Sequence, residues 1–144
     1  MLLHNIFTGD IAAWLVNGSS VLQSVSYGTV PPNSGRTLIS AGDFNGDGRT
    51  DLLWYNVYTG EVSVWLLDGG RLLQAASYGT VPPNSGWTPV GFDDFNGDGR
   101  VDVFWYNIFS SDTVTWLLDG SRVLQNPSYG SVPHSSVWQV QIPR

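Results

Sequence analysis

Two nine-residue segments gather oxygen-bearing side chains at a fixed spacing: Asp43-Phe44-Asn45-Gly46-Asp47-Gly48-Arg49-Thr50-Asp51 and Asp94-Phe95-Asn96-Gly97-Asp98-Gly99-Arg100-Val101-Asp102. Asp43, Asn45, Asp47 and Asp51, and likewise Asp94, Asn96, Asp98 and Asp102, stand at positions one, three, five and nine. Hard oxygen ligands at this density suit Ca2+, which takes six to eight of them, and the backbone carbonyl at position seven, of Arg49 or Arg100, completes the expected set. Glycines after positions three and five let the backbone fold back around an ion. The expectation is two Ca2+ per chain, with each loop loose when empty because three carboxylates crowd one turn. The competing reading is an acidic, glycine-rich turn that binds nothing. An EF-hand is excluded, because its bidentate Glu at position twelve is replaced here by Trp54 and Trp105. A dockerin-type loop would lead into an apolar-periodic helix, whereas Leu52-Leu53-Trp54-Tyr55-Asn56 and a Thr-Gly turn follow here. The loop therefore joins two strands.

The elements that carry these loops repeat. At an offset of 51 residues Trp14 aligns with Trp65 and Trp116, Tyr27 with Tyr78 and Tyr129, and Asn5 with Asn56 and Asn107, without insertions. SYGTVPPNSG at 26–35 returns unchanged at 77–86 and, weakened, as SYGSVPHSSV at 128–137. Each period holds four strand signals, for example Trp87 to Phe92, Asp102 to Asn107, Thr113 to Leu118 and Arg122 to Tyr129. We letter them A to D from the inside outward. Runs such as LLWYN and VSVWLL alternate poorly, as strands covered on both faces do. Leu67-Asp68-Gly69-Gly70 and Leu118-Asp119-Gly120-Ser121 set Asp-Gly between apolar runs, a strong hairpin signal joining C to D. Four antiparallel strands per period, radially repeated, predict an all-β fold of β-propeller blades.

DFNGDGRTDLLWYN, then TGEVSVWLLDG, then a Trp-led strand returning to DFNGDGR, resembles the VCBS/FG-GAP repeats of bacterial surface and secreted proteins, relatives of the integrin alpha propeller. The resemblance covers essentially the whole chain. It implies that Asp43, Asn45, Asp47, Asp51, Asp94, Asn96, Asp98 and Asp102 are calcium ligands in the loop between strands A and B. It also implies an extracellular or cell-surface setting, bacterial in origin, and a ring of blades.

Three blades are expected: residues 1–35 with a strand A from 137–142, residues 36–86, and residues 87–136. The first copy begins at strand B, and Val137 to Ile142 is an A-like strand with no B after it. Three blades fall below the four to eight with which propellers close. Two chains would supply six, so the expectation is a twofold homodimer with strand exchange, Val137 to Ile142 of one chain serving the other's first blade. A piece of a longer propeller is the alternative.

Composition narrows the partners. Six Arg, no Lys and 12 acidic residues give a net charge of −6, which offers no basic surface to nucleic acid or to an anionic membrane. No apolar run is long enough to span a bilayer, Met1-Leu2-Leu3-His4 does not read as a signal peptide, and no Cys offers a nucleophile or a thiolate site. Catalysis finds little support, so the chain reads as a non-enzymatic binding or scaffold module. His4 and His134 fall where the other copies carry Tyr or Pro, and Glu61 shares its position with Asp10 and Asp112 at the start of strand C. Opposite the calcium loops, the B-to-C turns repeat Phe7, Tyr58 and Phe109 beside Asn5, Asn56 and Asn107. Such a ring of aromatics and amides could serve a lectin-like carbohydrate binder; the plainer reading packs the aromatics between blades and uses the Asn residues as turn caps. The partner is then a glycan or a surface protein. Arg36 stands where the copies have Trp87 and Trp138.

Overall fold

A computed structural model describes residues 2–5, 7–68 and 71–131. Among them there is no helix: twelve strands form three antiparallel sheets. Sheet 1 holds β1 (Leu2–His4), β2 (Asp10–Asn17) and β3 (Ser20–Thr29), in that order. Sheet 2 is a four-stranded meander of β4 (Arg36–Gly42), β5 (Asp51–Asn56), β6 (Glu61–Leu67) and β7 (Leu72–Thr80). Sheet 3 runs β8 (Trp87–Asp93), β9 (Asp102–Asn107), β10 (Asp112–Leu118) and β11 (Val123–Gln125), with β12 (Ser128–Ser131) also paired to β10. The all-β architecture expected from the repeat is present. The expected exchange strand 137–142 lies outside the described residues, as do Gly69, Gly70 and His134.

One expected strand is corrected. The fourth strand of the last copy was expected to run from Arg122 to Tyr129, but it is split into β11 and β12 at Asn126-Pro127. The counterpart of Pro127 in sheet 2 is Ala76, which pairs with Val64 inside an unbroken β7. Proline has no N–H to give the ladder, so the ladder breaks there. Its carbonyl still accepts from the Thr115 N–H at 3.0 Å, and the chain stays beside β10.

The poor alternation of the central strands has a direct cause. Residues of β5 and β6 that point one way, Leu52, Trp54, Trp65 and Leu67, join Ile11, Val25, Tyr27 and Val30 in a cluster with sheet 1. Those that point the other way, Leu53, Val62, Val64 and Leu66, pack with Val103, Trp105 and Leu118 of sheet 3. Sheet 2 thus lies between its neighbours with both faces covered, and either parity of residue must be apolar. Tilted indole pairs recur at equivalent places, Trp54 with Trp65 at 5.3 Å and Trp105 with Trp116 at 5.1 Å.

A buried tyrosine stands at each of the two junctions between sheets. Tyr78 of β7 is buried, and its hydroxyl donates to the Gly120 carbonyl in the β10–β11 turn of the next sheet at 2.7 Å. Burial first, then the negative charges of Asp51, Asp119 and Asp102, push its phenol far above the usual range. Tyr27 of sheet 1 is likewise buried, and its phenol is raised by burial and then by Asp68, the counterpart of Asp119 in the β6–β7 turn.

Candidate metal loops and the opposite turn face

Each acidic loop leaves one edge of a sheet and returns into its central strand. In the first loop the Asp43 Oδ1 accepts from the Gly46 and Asp47 N–H groups at 2.7 and 3.1 Å, and its Oδ2 from the Gly48 N–H at 2.8 Å. Asp47 Oδ1 accepts from the Arg49 N–H at 2.9 Å, and the Asn45 Nδ2 donates to Asp47 Oδ2 at 3.3 Å. Gly46 and Gly48 sit at φ +79° and +80°, the left-handed conformation the double reversal needs. The second loop repeats this geometry bond for bond around Asp94, Asn96 and Asp98. Backbone donors thus shape both loops.

The ninth position differs from the others. Asp51 is fully buried; its Oδ2 accepts from the Phe44 N–H and its Oδ1 from the Leu67 N–H, both at 2.9 Å. Asp102 does the same with Phe95 and Leu118, at 3.0 and 2.9 Å. Each carboxylate staples its own loop to the end of the third strand of its sheet. Burial raises the pKa of Asp51, only partly opposed by those two N–H bonds, and the charges of Asp47 and Asp43 raise it further; Asp102 feels the same influences. A raised carboxyl pKa means that ionisation opposes folding above that pKa, and that the opposition fades as pH falls through it. Asp94 goes the other way: desolvation is its largest single influence and acts upward, but four backbone N–H groups together bring it below the ordinary range.

The structure brings Asp43, Asp47 and Asp51 together, and separately Asp94, Asp98 and Asp102, with one carboxylate oxygen of each within 4.8 Å of the others in its trio. Oxygens that share one calcium at 2.3–2.6 Å lie within about 5 Å of each other, so the donor set fits the ion. Arg49 and Arg100 turn their guanidinium groups onto Asp47 and Asp98 at 3.9 and 3.7 Å. The two loops also touch, since the Val101 N–H donates to the Asp43 carbonyl at 2.8 Å. Sequence reading missed the Leu67 and Leu118 N–H donors, 16 residues from the carboxylates they serve, because a backbone donor leaves no mark on residue type.

Residues 43–105, from the start of the first loop through the second and into β9, match the family model of the FG-GAP-like repeat. The chain carries an FG-GAP-like repeat. No curated protein and no solved structure matches it.

At the other end of the sheet stack, the Asn side chains serve the turns. Asn56 Oδ1 accepts from the Tyr58 and Thr59 N–H groups at 2.9 and 3.1 Å, and its Nδ2 donates to the Ser34 carbonyl at 3.2 Å. Asn107 repeats this with Phe109, Ser110 and Ser85, and Asn5 Oδ1 accepts from Phe7 and Thr8. The aromatics do not pack between sheets: Phe7 is 86% exposed, and Tyr58 and Phe109 are each 70% exposed. A Cβ on Gly35 would come within 2.5 Å of the Tyr58 ring, and one on Gly86 within 2.6 Å of the Phe109 ring, so each ring lies against a glycine with its other side open. Arg36, in the place of Trp87, reaches Glu61 at 3.7 Å, and the chain's single Glu thereby has a partner.

Proposed function

We propose that this chain is a calcium-stabilised, non-enzymatic binding and scaffold module of the FG-GAP type that works outside the cell and completes a six-bladed propeller by pairing with a second copy. The observation that carries the calcium reading is the convergence, in both loops, of three carboxylates on one point, with the ninth-position Asp buried where its charge is otherwise unfavourable. Asp43, Asn45, Asp47 and Asp51 would hold one ion and Asp94, Asn96, Asp98 and Asp102 the other, with the Arg49 and Arg100 carbonyls as further ligands. The ion supplies positive charge that offsets the mutual repulsion of the carboxylates and ties the loop to the sheet. A net charge of −6 without lysine supports the absence of nucleic acid and anionic membrane among its partners, and no helix among the described residues is long and apolar enough to cross a membrane.

Two filled loops should raise the unfolding midpoint. With dissociation constants on the order of 0.1 mM and 10 mM calcium, each site adds about 2.7 kcal/mol, and chelator should reverse the gain. Equal melting curves in calcium and in chelator would remove the calcium reading.

A second reading, a lectin-like carbohydrate binder, is favoured by the exposed rings of Tyr58 and Phe109 seated on glycine. A ring fixed on one side offers the other to the C–H face of a sugar at little entropic cost. On a glycan array in calcium, that reading expects saturable binding that Tyr58→Ala with Phe109→Ala weakens at least tenfold; a blank array, or binding indifferent to both changes, decides against it.

A further inference from the structure

The chain carries both halves of an interface that it already makes twice within itself. On the face of sheet 2 toward sheet 3, Phe44 and Leu53 are fully buried and Tyr78 is 8% exposed, because sheet 3 covers them. The counterparts one period later are Phe95, Phe104 and Tyr129. Their rings meet, Phe104 stacked on Tyr129 at 6.4 Å and Phe95 tilted against Phe104 at 6.1 Å, yet Tyr129 is 64% exposed. Where Tyr78 has the Gly120 carbonyl, Tyr129 has no equivalent turn within reach of its hydroxyl among the described residues.

The missing turn exists at the other end of the stack. Gly18, between β2 and β3, occupies the place that Gly120 holds between β10 and β11. Gly120, at φ +93°, is pressed against the first acidic loop: a Cβ there would lie 2.8 Å from the Asn45 Cβ. Gly18 has the same left-handed conformation, φ +61°, and nothing within 4 Å. The seat is built and open, and the counterpart of Asn45 in the last copy is Asn96, which is exposed.

We infer that the Tyr129 face of sheet 3 docks on the Gly18 edge of sheet 1 in a second copy of this chain, with the Tyr129 hydroxyl donating to the partner's Gly18 carbonyl and Asn96 resting against that glycine. The inference rests on the ring-closing reading above and gives it a contact. A heterologous contact of this kind closes when its rotation divides the circle, and two copies bring six sheets, within the range in which propellers close. Charge does not oppose the fit: Asn17 stands before Gly18 where Asp68 and Asp119 stand in the other turns.

The test is the mass of the full chain in calcium by sedimentation or multi-angle light scattering. The expected result is twice 15.7 kDa. Gly18→Asn keeps the left-handed turn, since Asn tolerates it, but fills the seat, and should weaken self-association at least tenfold. Tyr129→Arg should do the same from the opposite face, while Gln74→Ala on the outer strand of sheet 2 should leave the mass unchanged. Circular dichroism checks that each variant is folded; if Gly18→Asn is not, Tyr129→Arg decides. A wild-type monomer overturns both this contact and ring closure. A dimer indifferent to both variants overturns the contact and leaves ring closure standing.

Discussion

Asp51→Ala is expected to cost the fold about 2–4 kcal/mol, since two buried backbone donors then go unmatched at ~1–3 kcal/mol each. Those donors are the Phe44 and Leu67 N–H groups, which the two carboxylate oxygens now satisfy inside the stack. Removing a buried charge gives something back, because burial and the neighbouring Asp47 and Asp43 work against the ionised form. The return is smaller than the loss, since the carboxylate is already stabilised by both N–H bonds and by whatever cation the loop holds. Asp51→Asn separates the contributions: its oxygen can serve one donor, and its NH2 group faces the other. It should lose about 1–3 kcal/mol in chelator, and in calcium it should also lose the increment of that loop. Chemical denaturation of the three proteins, each with calcium and with chelator, gives the numbers. An unchanged stability for Asp51→Ala would mean that the staple carries no weight.

Phe44→Ala should be comparably severe, at about 3–5 kcal/mol, because a fully buried phenyl leaves a cavity that a sheet-on-sheet core cannot refill. Phe44 belongs to both the acidic loop and the cluster between sheets 2 and 3, so the change also loosens the residue whose N–H Asp51 holds. Its counterpart Phe95 is only partly buried and touches Phe104. At protein concentrations where the chain is monomeric, Phe95→Ala should cost about half as much or less. As concentration rises and a second copy covers the Tyr129 face, the two costs should converge. Urea unfolding across a hundredfold range of concentration reads this directly, and equal costs under dilute conditions would contradict the exposure of the sheet 3 face.

The acidic loops were legible because their chemistry is local: oxygen-bearing side chains at positions one, three, five and nine lie within one turn of chain, and the glycines that permit the reversal lie between them. The strand periods were legible for the same reason, as turn residues punctuate apolar runs. Pro127 shows how repeat logic can mislead. Aligning it with Ala76 suggested a continuous strand, but one missing N–H broke the ladder into β11 and β12. The B-to-C turns were read half correctly. The Asn residues do cap them, since an Asn carbonyl reaching two residues ahead is a local act, yet the aromatics beside them face solvent, which depends on Gly35 and Gly86 from a neighbouring connection.

Spacing along the chain was sufficient by itself to establish the 51-residue period, the all-β class and the two clusters of hard oxygen donors, since each follows from residue types a few positions apart. Only the tertiary structure decided that Asp51 and Asp102 are buried staples, that Arg36 meets Glu61, and that three equivalent tyrosines have two different fates. The reason is physical: burial and long-range partners depend on which sheet lies against which. A repeated sequence describes every sheet alike, whereas the two ends of a stack do not have the same neighbours as its middle.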